Sequence, residues 1–589
     1  MDRAARLSLA LVSTSLLGVS APYEFTPQQL ALLDPTSAIS ALCGGGSKSA
    51  AMRDRLVLAA AVVAQAQSPS GIRLYDGLGK VHFPITTSSS EAQRYFNQGM
   101  AFAYGFNHAA AIASFKEAQR LDPDCAMCWW GESLAYGPNI NAPLTPDANK
   151  LALTSIAEAQ QRMAKVTPPE RALIMALAKR YSADPNAKRA DLDGAFADAM
   201  LTVARYYPQH DDISLLAAEA AMDTLPWDYW EPGKQSAKPR LGEAIRLVEA
   251  VLARNPDHPQ APHLYIHLME NGPDPKRAEA AADRLSAPLS RDAGHLVHMP
   301  AHIYYRLGRW KDSIRVNIDA AHQDEAYIKE SGDKGFVRYG YYPHNVHFIV
   351  TSAQMGGDLP TAIGEAKRLS SIVDANTATQ LAWVQAINAA PYFATLQFAS
   401  PKDVLALPEP DPRLNYVKGI RHYVRAVAYA QQHNQRGFDS ELAELKRIQG
   451  SGVLQPMVDQ GMPAIDLLAL AEHVALGKQA SFRGRHLQAA DHFRQALAIE
   501  SRISYMEPPW WYYPVSQSLG AALYRAGKYE EARQAFAAAL AKYPNNGWAL
   551  YGLAMAERAQ GRPAQAAAAR AALSRAWLGD YRWLKMERI

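Results

Sequence analysis

Three short stretches hold most of what could do chemistry in this chain. "HLYIHLME" supplies His263, His267 and Glu270, "GHLVHMPAHIYYRLGRW" supplies His295, His298 and His302, and "YYPHNVHF" supplies His344 and His347. Steps of three and four residues keep side chains on one face of a helix. Nine of the 17 histidines fall between His258 and His347, more than three times what an even scatter would place there. Neutral imidazoles packed together gain little unless something bridges them, and protonated ones repel. A cation with bonds of about 2 Å to nitrogen removes both problems. The pattern therefore points to a metal centre held by His263, His267, His295, His298, His302, His344 and His347. The plainer readings of the same residues are core histidines bonded to nearby carbonyls, or a polar groove for a peptide.

Many imidazoles with few carboxylates suit copper, zinc, iron or nickel and argue against calcium or magnesium. The candidates exceed one tetrahedral site, so either two ions sit side by side or some histidines stand behind the ligands. About three imidazoles per ion is the arrangement of a dinuclear copper centre of the oxygen-binding type, and copper is the preferred metal, with zinc and iron as alternatives. Glu270 is the catalytic candidate. With Glu219 and Asp223 on the preceding helix it would suit hydrolytic zinc or a carboxylate-bearing iron site, where a glutamate takes a proton from metal-bound water of pKa about 7. The His-Glu-x-x-His protease motif is not present, since His263 is followed by Leu264 and Glu270 comes after the second histidine. The scarcity of carboxylates favours redox chemistry over hydrolysis.

The elements that must position these residues repeat along the chain. In "EAQRYFNQGMAFAYGFNHAAAIASFKEAQRLDP", Tyr95, Gly99, Phe102, Ala111, Phe115, Ala118 and Pro123 fall at the spacing of a tetratricopeptide repeat, a two-helix hairpin. The pattern recurs at Gly477, Ala489, Phe493 and Ala496, and at Gly520, Ala532, Phe536, Ala539 and Pro544. Weaker copies start near Gln260, His295, His344 and Trp548. The fold class expected is an all-α tetratricopeptide-repeat superhelical solenoid with aromatic and proline-rich insertions, because each hairpin needs a neighbour to bury its apolar side. In repeats of this kind the places taken by the histidines line the concave inner surface; by that resemblance they converge inside the superhelix. "LPWDYWEPGKQSAKP" and "EPPWWYYP" are irregular aromatic insertions. The expected organisation is a signal or disordered segment over 1–70, a histidine-bearing array over 71–398, a linker over 399–413 and a second array over 414–589.

Bulk composition narrows the class. Of 589 residues, 48% are hydrophobic and 20% charged, which is ordinary for a globular protein. A net charge of +4 and the lack of a basic run with interleaved aromatics speak against nucleic acid as a partner. Two N-terminal segments resemble secretory signals, Leu7 to Val19 behind Arg3 and Arg6, and "MRDRLVLAAAVVAQAQS" from Met52. Export to the periplasm or exterior is expected, with Met52 as an alternative start and no transmembrane span. Three cysteines exclude a disulfide scaffold. Cys125-x2-Cys128 reads first as two small buried residues and second, in an exported chain, as a local disulfide.

Several passages together resemble a group of bacterial tetratricopeptide-repeat proteins: "AQRYFNQGMAFAYGFNHAAAIASFKEA", "PWDYW", "HPQAPHLYIHLMEN", "GHLVHMPAHIYYRLGRW", "YYPHNVHF", "EPPWWYYP" and "NNGWALYGLA". The resemblance spans roughly residues 74–580 and implies fold and export, with no chemistry attached. Gln260 stands where the group's pattern tends to show glycine. The reading that results is an exported metalloenzyme acting on a small molecule or peptide, with Trp227, Trp230, Tyr304 and Trp510 to Tyr513 as candidate walls. Its rivals are a scaffold holding a partner protein or peptide in the groove, and a protein for metal storage or delivery.

Overall fold

Phe115 shows how the hairpins form. A Cβ placed on Gly99 of helix Ser90–Tyr104, or on Gly131 of helix Ala126–Tyr136, would lie 2.5 Å from its ring. Bare backbone on both sides makes the slot, and Phe115 on helix His108–Leu121 fills it completely. Phe493 meets Gly477 in the same way, and Phe536 meets Gly520 and Gly552. The small residue and the aromatic are thus one packing unit, repeated. Asn107 caps the second helix of the first hairpin by accepting from the Ala110 amide, as its place in the turn predicts.

The computed structural model describes residues 71–233, 236–287, 290 and 292–589. Both export-like segments and the Met52 start lie outside the described residues. Among those described there is no strand, and antiparallel helix pairs stack in chain order as an all-α tetratricopeptide-repeat superhelix. No described helix is long and apolar enough to cross a membrane.

The weak repeat copies coincide with helices Gln260–Glu270, Gly294–His298 running on into Pro300–Arg306, Tyr342–Gly356 and Gly547–Ala559. Pro300 explains the break in the second of these, since it has no amide to give the preceding turn. Residues 399–413 carry a one-turn helix, Pro401–Leu405, docked on Asn415–Gln431. Two large cores result: one runs from Leu78 through the histidine-bearing helices to Phe348 and Met355, and the other is built mainly from Ile349 to Ile589. The superhelix also closes on itself: Trp310 Nε1 donates to the Asn545 carbonyl and Trp548 Nε1 to the Gln354 carbonyl, each at 2.9 Å.

Cys125 and Cys128 form a disulfide, where the sequence favoured two small buried thiols. Both are buried, but Cys125 is the extended N-cap of helix Ala126–Tyr136, and this brings the two Cα atoms to 5.4 Å, within bridging range.

If Phe115 and its two glycines are one unit, Phe115→Ala should cost about 3–5 kcal/mol and Gly99→Ala about 1–3 kcal/mol through overpacking. Gly364→Ala, in a helix with open space around its Cα, should be neutral or stabilising by up to about 1 kcal/mol. Urea-unfolding midpoints would check the order; equal effects at Gly99 and Gly364 would contradict it.

Candidate metal centre

Two groups of three imidazoles converge among the described residues: His263, His267 and His295, and His298, His302 and His344. Within each group one nitrogen per residue lies within 4.8 Å of the others. The first group joins helices Gln260–Glu270 and Gly294–His298. The second joins the far end of the broken helix to Tyr342–Gly356. All are buried except His344, which is partly exposed, so the imidazoles fill the interior of the superhelix and do not line an open groove. The closest approaches are His263 Nε2 to His295 Nε2 at 3.2 Å and His298 Nε2 to His302 Nε2 at 2.9 Å. Bonds of about 2.0–2.1 Å in tetrahedral geometry would set ligand nitrogens about 3.3 Å apart. The groups are thus close to the size a metal requires.

What faces the other side of each ring decides which nitrogen carries the proton. His267 Nδ1 lies 2.8 Å from Glu270 Oε1, and His302 Nδ1 lies 2.6 Å from Glu270 Oε2, so one carboxylate spans both groups from behind. His298 Nδ1 meets Asn317 Oδ1 at 2.7 Å. Asn317 cannot be turned round, because its amide nitrogen donates to the Ser313 carbonyl, which only accepts. His263 Nδ1 meets Gln260 Oε1 at 2.9 Å, and Gln260 Nε2 donates to Glu219 Oε2 at 3.0 Å. The Nδ1 atoms of His263, His267 and His298 are therefore donors, and their Nε2 lone pairs face inward, whereas His302 Nδ1 meets Glu270 as a close charged contact without hydrogen-bond alignment. Two lone pairs 2.9 Å apart repel unless a proton or a metal ion lies between them.

Burial holds the imidazoles of His263, His295, His298 and His344 well below the usual histidine range, with neighbouring imidazoles adding to the effect. Burial would lower His302 too, but Glu270 overrides it and raises the ring. Burial alone would push Glu270 up; the imidazoles of His302 and His267 hold it down, at about 2. The centre is therefore neutral imidazole at His263, His295, His298 and His344, with His302 drawn toward its protonated form by the Glu270 charge.

Its walls are aromatic. Phe106 packs on His263, His267 and His295, Phe348 on His298, His302 and His344, and Tyr341 stacks on His295 at 4.5 Å. Phe106 and Trp227 both hold left-handed backbone, φ 54° and 65°. Phe106 occupies the position after a helix end where the amides of Phe106 and Asn107 close back on Ala103 and Phe102, a place glycine usually takes. Trp227 sits third in the turn closed by the Asp228 amide on Leu225. Trp227 lies edge-on to His267 at 5.0 Å. A side chain in this region costs about 1–2 kcal/mol; here both strained residues place a ring against the same imidazole.

Several sequence candidates lie elsewhere. His347 is buried but belongs to neither group. Glu219 is spent on Gln260, and Asp223 is held by Arg180 at 2.6 Å, so neither carboxylate joins the imidazoles. Trp230 donates to the Leu268 carbonyl, Tyr304 to Asp283, and Trp511 and Tyr512 pack on Phe393 in the C-terminal core. The aromatic insertion does reach the centre, but earlier than expected. Tyr505 approaches Glu270 Oε2 with its hydroxyl at 3.4 Å, and buried Glu507, pushed up to about 7 by desolvation against the pull of Arg306 and His302, follows it. No spacing in the sequence links Tyr505 to Glu270, 235 residues away.

The tetratricopeptide-repeat family matches residues 523–576, helices at the C-terminal end of the array. No curated protein matches the chain. Solved structures similar to it include a human IFIT1 dimer with m7Gppp-AAAA, at 13% identity over 73% of this chain and 86% of that one with a TM-score of 0.30. Yeast Tom70 aligns at 12% identity over 84% and 93% with a TM-score of 0.25. The Cut9–Hcn1 hetero-tetramer of APC/C aligns at 12% over 83% and 97% with a TM-score of 0.21. The bound RNA is a property of the IFIT1 structure. For this chain the repeat match and its own helix pairs establish an all-α tetratricopeptide-repeat array, a fold suited to binding.

If the strained aromatics exist to seal the imidazoles, Phe106→Gly should relax the backbone yet open the first group to water. Diethylpyrocarbonate should then modify His263 and His295, read by peptide mass spectrometry, while His298 stays protected as in the parent chain. Equal protection in both proteins would show that Phe106 is not the seal.

Proposed function

We propose that this chain is a dinuclear metalloprotein, with one ion held by His263, His267 and His295 and the other by His298, His302 and His344, and that its chemistry is redox chemistry at copper. The single observation behind this reading is the set of three Nδ1–H groups, on His263, His267 and His298, tied to acceptors, which turns their Nε2 lone pairs into a closed interior among the other imidazoles. Three neutral imidazoles per ion suit copper, and zinc or iron remain alternatives of the same ligand set. When bound, copper would supply one-electron exchange and dioxygen binding. The chain's own residues orient the rings through Glu270, Asn317 and Gln260, and exclude water through Phe106, Trp227, Tyr341 and Phe348. Glu270 supports the redox reading over hydrolysis, since both its oxygens are turned to ring nitrogens and away from a position where water could be deprotonated.

A second reading has its own support. The family match and the fold favour a scaffold that binds a peptide or partner protein, with the histidines as a polar core. Export is part of the proposal: the N-terminal segments and the Cys125–Cys128 disulfide both suit an oxidising compartment.

Elemental analysis of untagged protein after dialysis against a weak chelator separates the two. The metalloprotein should retain two ions per chain, and His267→Ala or His302→Ala should lose them with helical content unchanged. A parent chain that retains no metal from copper, zinc or iron would leave the scaffold reading. Glu270→Gln can no longer accept from both rings, so metal affinity should fall about 10–100-fold. If instead the variant keeps its metal tightly but loses turnover by about 10²-fold, Glu270 is a base and the centre is hydrolytic.

A further inference from the structure

The first imidazole group is oriented by a residue that touches none of its members. Gln260 is wholly buried, one turn before His263, and uses both ends of its amide: Oε1 accepts from His263 Nδ1 at 2.9 Å and Nε2 donates to Glu219 Oε2 at 3.0 Å. An amide is nearly symmetric in shape. Left to itself, Gln260 could rotate and offer its NH2 to His263, and the ring would then have to put its proton on Nε2, the nitrogen facing His295 at 3.2 Å. A carboxylate oxygen removes the choice, because Glu219 Oε2 accepts and cannot donate to an amide nitrogen. The ionised carboxylate enforces this orientation from either oxygen, and the acid form does so while its proton sits on Oε1, which leaves Oε2 the acceptor. Asp223 lies one turn on in the same helix, Asp211–Asp223, and is itself clamped by Arg180; burial and the Asp223 charge push the Glu219 carboxyl up to about 8.

We propose that Glu219 is a positioning residue which, through the Gln260 amide, fixes the proton of His263 on Nδ1 and so keeps Nε2 free to bind a metal ion. The second group has a different lock for the same purpose, since Asn317 is fixed by the Ser313 carbonyl and needs no acid. The two groups are therefore unequal: a neutral change at Glu219 disturbs one and spares the other. The purpose of this lock rests on the metal-centre reading; its existence does not.

The test uses the full chain, labelled with 15N-histidine and freed of metal by a chelator. Ring-nitrogen shifts give the tautomer of His263, its signal assigned by loss in His263→Gln. The parent chain should show the Nδ1–H form alone. Glu219→Gln keeps size and packing but can face Gln260 with either oxygen or nitrogen, so both tautomers should appear at His263 while His298 stays Nδ1–H. Glu219→Leu and Gln260→Leu should do the same, and if either fails to fold, Glu219→Gln still decides. An unchanged Nδ1–H ring in Glu219→Gln, or an Nε2–H ring in the parent chain, overturns the proposal. Cobalt(II) titration then adds a second readout. Glu219→Gln should lose one of two ions first, and equal weakening of both sites would also count against the lock. If the parent chain takes no cobalt, copper, zinc or iron while the tautomers behave as expected, the lock stands and the metal reading falls.

Discussion

A histidine can bind a metal only through the nitrogen that lacks a proton, and the partner of the other nitrogen decides which one that is. The arrangement of this protein's interior follows from that constraint. Glu270 settles it for His267, Asn317 for His298 and Gln260 for His263, while His302 rests against Glu270 as a charged contact. Each acceptor is itself anchored, so no ring can turn without breaking a second bond. The cost is plain in the metal-free chain. His267 Nε2 and His295 Nδ1 are buried with no partner, and a buried polar atom left unpaired costs about 1–3 kcal/mol. On the metal-centre reading a cation would remove that cost and so couple binding to stability.

How much of this could be read from the sequence depends on what sets each feature. Steps of three and four placed His263 with His267 and His298 with His302 on single helical faces, and matching repeat places put those helices side by side; both are local rules, and both hold. The grouping itself is not local. His295 joins the pair from the preceding helix while His298 and His302 take His344, so two histidines of the same short helix, Gly294–His298, serve different groups. Gln260 stood out only as a departure from the group's glycine and Asn317 not at all, since a buried amide matters here only for the direction in which it points. Phe106 and Trp227 gave no signal either, because nothing in their side chains announces left-handed backbone.

Closure of the superhelix is the other long-range feature. The small-residue slots filled by Phe115, Phe493 and Phe536 repeat with little change, so curvature accumulates until the C-terminal repeats meet the central ones at Trp310 and Trp548. The irregular stretch before Val515 then falls over the histidine groups and delivers Tyr505 to Glu270. An insertion read as a candidate wall on account of its tryptophans contributes instead through the residues just before them.

These facts bear on which use of the fold is at work here. A repeat array that holds peptides needs an accessible concave face carrying unspent donors and acceptors. Over the central repeats that face is filled: five of the six grouped imidazoles are buried, their outer nitrogens are mostly committed, and phenylalanines cover both groups. Only His344 is open to a ligand from outside. The strain at Phe106 and Trp227 points the same way, since a core that merely needed filling would place glycine at those turns and an aromatic elsewhere at no backbone cost. Left-handed aromatics are tolerated where ring position matters more than the 1–2 kcal/mol at stake. The position they secure is against His267, the ring that shares Glu270 with His302 and so ties one group to the other.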